Sequence, residues 1–119
     1  MRRISAKTRK RIEECRPFRE QFKAEVGRCE VCGKRWGLQI HEIARGSSRS
    51  AALDKRYAIL VLCFECHLEV DGWPRAKQLA VLKRSRPADL DLEAFNVLCG
   101  NDPGHITMED VDAHASSTT

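Results

Sequence analysis

Cys29-Glu30-Val31-Cys32-Gly33, answered by Cys63-Phe64-Glu65-Cys66-His67 with 30 residues between Cys32 and Cys63, is the pair of segments that decides how this chain folds. Each Cys-x-x-Cys turn can aim two thiolates at one ion, and two such knuckles complete a tetrahedral four-cysteine zinc site. Gly33 suits the end of the first knuckle, where the backbone needs positive φ. Six cysteines in a chain without an export signal favour metal ligation over disulfides. A redox Cys-x-x-Cys would follow a strand in a βαβ unit, and no such pattern precedes Cys29. Cys15 and Cys99 lack partners at ligand spacing and read as small apolar residues. The expectation is a structural Zn2+ on Cys29, Cys32, Cys63 and Cys66.

Composition agrees with a fold that needs a staple. Hydrophobic residues are 42% of the 119, but aromatics are only 6%, so the core is thin for the length. A metal is one way such a small domain closes its energy balance. No apolar run is long enough for a membrane span, and no apolar stretch follows the basic start, so the expected location is the cytoplasm. The net charge of +4 hides a gradient. Residues 1–28 carry 10 Lys/Arg against 4 Asp/Glu, whereas from Asp89 onward there are 7 acidic residues and no Lys or Arg. A basic arm suits a phosphate backbone, although a solvated helix face has the same composition.

Outward from the knuckles, the chain divides into a basic helical arm (1–26), a zinc-binding core (27–73), a helical extension (74–113) and a polar tail (114–119). In the arm, Phe18, Phe22 and Val26 recur at helical spacing, with a kink or break expected at Pro17. Leu38 and Ile40, with Ile43 as a candidate third, mark the apolar side of a short strand. Residues 44–56, rich in Ser and basic side chains, read as a loop. Tyr57 to Leu62 is an apolar run that suits a buried second strand. A helix is expected from Cys63 or Phe64 to about Val70, ended by Gly72. Two more follow, from Pro74 to about Arg84 and from Asp91 to Leu98. Thr107 is placed to cap a last helical turn with Asp110 at the third position. The expected class is α+β.

Three residues make this more than a plain ribbon. His41 closes the first strand, His67 follows the last knuckle cysteine, and Asp71 lies one helical turn beyond His67. If zinc draws the first strand against that helix, the two imidazoles and the carboxylate can share a divalent ion with open positions for water and a phosphate oxygen. Glu42 would stand beside that ion as a general base. Arg45, Arg49, Lys55 and Arg56 in the neighbouring loop are candidates for phosphate contacts. His105 and His114 have no such setting and read as surface residues.

The order Cys-x2-Cys, Leu38-Gln39-Ile40-His41-Glu42-Ile43, a basic Gly-containing loop and an apolar strand into Cys63-x2-Cys66-His67 resembles the zinc-ribbon branch of the HNH nucleases. The resemblance covers about residues 27–73. It implies a ββα-metal core, flanked here by the basic helix and the C-terminal helices, that cleaves phosphodiester bonds with a divalent ion such as Mg2+, Mn2+ or Ni2+. It also implies a phage or mobile-element origin, hence the cytoplasm of a bacterial host. His41 and His67 match family metal ligands, and Asp71 stands where many members have a second helix histidine. Glu42 occupies the place of the water-activating histidine, and Ala58 that of an asparagine. The expected function is a DNA endonuclease. The alternatives are a catalytically degenerate module binding DNA or RNA and a zinc-stabilised protein-interaction adaptor.

Overall fold

The computed structural model describes residues 5–115, so the first four residues of the arm and most of the tail lie outside the described residues. Helix α1 (Ala6–Val26) opens on Ser5, whose hydroxyl accepts from the Thr8 amide, and closes on Gly27 at φ 67°. Of the kink or break expected at Pro17, the break does not occur: the helix runs through the proline. Contacts on both sides of the proline hold it: Arg11 bonds Asp54 at 2.9 Å, and Arg19 bonds the Leu53 carbonyl at 3.0 Å. Those tertiary bonds offset the backbone hydrogen bond that proline cannot donate.

Strands β1 (Leu38–Glu42) and β2 (Ile59–Cys63) form an antiparallel pair in which Leu38 faces Cys63 and Glu42 faces Ile59. Alternation along the strands divides the side chains between two cores. Ile59 and Val61, with Leu38 and Ile40, pack against Phe22, Phe18 and Val26 of α1. Leu60 and Leu62 enter the larger core with Val70, Leu79, Leu82, Phe95 and Val111. Burying a side chain such as Phe22 is worth about 1.5–3 kcal/mol, so this small sheet is held mainly by what covers its faces.

The segment between the strands is not the plain loop its composition suggests. It holds a 3-10 turn (Gly46–Ser48), helix α2 (Arg49–Ala52) and a second 3-10 turn (Arg56–Ala58). Ala52 and Leu53 are buried there, and their burial orders a stretch that polar neighbours made look irregular. β2 passes directly into α3 (Phe64–Val70). Helices α4 (Arg75–Ser85), α5 (Leu92–Leu98) and α6 (Met108–Ala115) follow. Thr107 and Asp110 cap α6 reciprocally: the Asp110 amide donates to the Thr107 hydroxyl, and the Thr107 amide donates to the Asp110 carboxylate. Among the described residues the chain is thus α+β, and no helix is long and apolar enough to cross a membrane.

Candidate metal centre and the histidine pair beside it

The two knuckles meet because β2 delivers Cys63 to the start of α3 while the loop after Gly27 folds back on the open edge of β2. The Glu30 amide donates to the Val61 carbonyl at 2.8 Å, and the Val61 amide donates to the Glu30 carboxylate at 2.7 Å. Gly33, at φ 84°, turns the chain out of the first knuckle as its sequence position requires. The ligand atoms of Cys29, Cys32, Cys63 and Cys66 then all lie within 4.8 Å of one another. The Cys32 and Cys63 sulfurs are 3.7 Å apart. Zn–S bonds of about 2.3 Å give a tetrahedron with sulfur–sulfur edges of about 3.8 Å, so the Cys32–Cys63 spacing matches such an edge and the cluster is compatible with a zinc ion.

Ionisation at this cluster is uneven. Burial opposes ionisation of Cys29, but backbone hydrogen bonds from Cys32, Cys63 and Val31 outweigh it and bring the thiol down to about 7. Burial and the neighbouring thiols push Cys66 up, and Cys63 is also raised. Four thiols this close cannot all ionise unless a cation offsets the charge. Cys15 is buried and Cys99 half-buried, and neither joins the cluster.

On the α3 side of the sheet His41 and His67 come together, with ring centroids 5.0 Å apart and planes at 79°. Glutamines hold both rings: His41 Nε2 lies 2.6 Å from Gln78 Oε1, and His67 Nδ1 lies 2.7 Å from Gln39 Oε1. Burial pushes His41 below the ordinary imidazole range; the Gln78 bond opposes this and the nearby His67 adds to it. Burial thus favours the neutral ring, the form in which imidazole binds a metal.

No family model, curated protein or solved structure matches the chain. The reading therefore rests on the placement of the side chains.

Asp71 caps the C-terminus of α3 near His67, but its carboxylate is held by Arg45 at 2.6 Å, and the same guanidinium bonds the Asp71 carbonyl. Among the described residues, the four cysteines are the group of three or more potential ligands that converges. Glu42 does not face the histidines. As the next residue along β1 it points to the opposite face, where Arg19 and Arg49 bond its carboxylate at 2.7 and 2.8 Å. Ala58 is wholly buried, so its position leaves no space for an asparagine without repacking. Asp54 bonds Arg11 and Lys55.

The four loop cations are not equivalent. Arg45 and Arg49 are exposed, with one carboxylate each. Lys55 pairs with its neighbour Asp54. Arg56 is structural in this conformation: it bonds Glu25 at 2.7 Å and Asp89 at 3.0 Å, and its guanidinium lies 5.0 Å from the centre of the Phe22 ring. His105 is exposed, whereas His114 is half-buried.

Two residues that sequence reasoning passed over prove central. Gln78 had a faint signal, one turn before Leu82 on the buried side of a helix. Glu30, inside the first knuckle, has no local pattern that marks it as buried.

Proposed function

We propose that this protein is a zinc-stabilised, metal-dependent DNA endonuclease of the HNH type. The observation that carries the reading is the His41–His67 pair, brought from β1 and α3 to within 5.0 Å beside the four-cysteine cluster. The cysteines hold a structural Zn2+. His41 and His67 supply two imidazoles to a second divalent ion, and Asp71 completes the set once Arg45 leaves it. A bound divalent ion would polarise the phosphate, lower the pKa of a water and stabilise the leaving oxygen. Arg45 has a second task in this reading. An incoming phosphate competes with Asp71 for its guanidinium, so substrate binding itself frees the carboxylate. Arg49, with the exposed Lys7, Arg9 and Lys10 of α1, lends positive charge for the rest of the backbone. Glu42 anchors α1 and the 44–56 segment through its two arginines rather than activating water.

Supercoiled plasmid is the test, incubated with zinc-loaded protein and Mg2+, Mn2+ or Ni2+. Nicking is expected, with a loss of at least about 100-fold in His67→Ala, a half-buried residue whose truncation spares both cores. Glu42→Gln is expected to retain nicking. Loss of cleavage in a folded Glu42→Gln variant would return the carboxylate to the role of general base.

A second reading has its own support, because Glu42 is turned away from the histidines and Ala58 is sealed in the core, so neither stands where it could act on a water beside them. In that reading the domain binds nucleic acid without cutting it. Absence of nicking with every ion, together with salt-sensitive DNA binding, would select it.

A further inference from the structure

Gln78 lies on α4, outside the hairpin and helix that carry the two histidines, yet it reaches His41 through the larger core and is 1% exposed. One end of its amide donates to the Trp73 carbonyl at 2.9 Å, and the other lies 2.6 Å from His41 Nε2. The donor and acceptor roles follow without ambiguity. A main-chain carbonyl can only accept, so the amide end facing Trp73 must be the NH2 group. The end facing His41 must then be the oxygen, which also can only accept. Nε2 must therefore carry a hydrogen. A neutral imidazole has one N–H, so Nδ1 is the nitrogen with the free lone pair.

We propose that Gln78 is a positioning residue that fixes His41 as the Nε2–H tautomer and commits Nδ1 to the divalent ion. The use of that lone pair rests on the function proposed above, but the tautomer does not. Holding a ligand ring through its second nitrogen sets both its orientation and its basicity. His41 is 2% exposed, so water has little opportunity to exchange the roles of the two nitrogens. Here the holding group comes from a helix beyond the hairpin unit, and the carbonyl that orients the amide belongs to the turn between α3 and α4.

The experiment is a long-range 1H–15N correlation spectrum of the full chain, zinc-loaded and without a second ion. Wild-type His41 is expected to show a protonated Nε2 and an unprotonated Nδ1. Gln78→Met, similar in shape but without the acceptor, is expected to show averaged nitrogen shifts from two exchanging tautomers. Its affinity for Mn2+, read by broadening of the His67 resonances, is expected to fall about 10–100-fold. A protonated Nδ1 in the wild type, or a tautomer unmoved by Gln78→Met, would overturn the assignment. The wild-type spectrum decides even if the variant does not fold. The expected tautomer without any Mn2+ broadening supports Gln78 as the positioning group and instead removes the ion from the proposed function.

Discussion

Removal of zinc from the four cysteines is expected to unfold the domain rather than loosen one loop. Cys29 and Cys63 are 2% and 1% exposed and belong to the larger core, so the cluster is continuous with the packing around it. Four segments converge there: the loop after α1, the end of β2, the start of α3 and, through Glu30, the end of α4. The apparent free energy of binding zinc to such sites is about 10–16 kcal/mol at neutral pH. A domain of this size has a net stability of only about 5–15 kcal/mol, so loss of the metal exceeds the whole margin. Cys29→Ser is expected to purify without zinc and to lack a cooperative thermal transition. Cys15→Ser and Cys99→Ser should each keep one zinc per chain by intact-mass measurement and melt cooperatively. A chelator-treated protein with an unchanged far-ultraviolet spectrum and melting temperature would show that the cores stand without the ion.

Local features were the ones legible in the residues. The knuckles, the helix from Phe64 to Val70, the α6 cap at Thr107 and the strand positions Leu38 and Ile40 all depend on spacing within a few residues. Glu42 is an instructive failure, because its signal was present. Side chains alternate along a strand, so a residue next to His41 was bound to face the other way. Proximity in sequence is not proximity in space. Arg56 shows a different limit. As one cation in a basic loop it looked free, but its partners Glu25 and Asp89 come from a helix before the knuckles and a turn after α4. No local pattern announces a pairing made by tertiary packing, and the same is true of Gln78 with His41. Charge counts describe a segment; they do not say which charges the fold has already used.

Breaking the Glu30–Arg86 pair should have the second-largest effect on stability. The Glu30 side chain is 1% exposed and that of Arg86 10%, with Nε to carboxylate at 2.7 Å. Every capacity of this carboxylate is used: Ser85, Arg86 and the Val61 amide all donate to it. Arg86 in turn bonds Asp89 at 2.7 Å and the Arg56 carbonyl at 3.0 Å, and lies 4.7 Å from the centre of the Phe22 ring. Removing Arg86 strands the buried Glu30 carboxylate, so Arg86→Ala is expected to cost about 3–5 kcal/mol in urea melts of the zinc-loaded protein, and Glu30→Ala, which leaves Arg86 paired with Asp89, to cost less. Replacing both by methionine is expected to cost less than the sum of the two, since neither charge is then left alone. Glu30 sits between Cys29 and Cys32, so its docking on β2 and the four-cysteine cluster share one loop conformation. Glu30→Ala should therefore also weaken zinc retention against a competing chelator, whereas Arg16→Ala, from an exposed pair with Glu13, should change neither. An Arg86→Ala protein within about 1 kcal/mol of wild type would mean that solvent reaches this pair and that something else ties the first knuckle to the sheet.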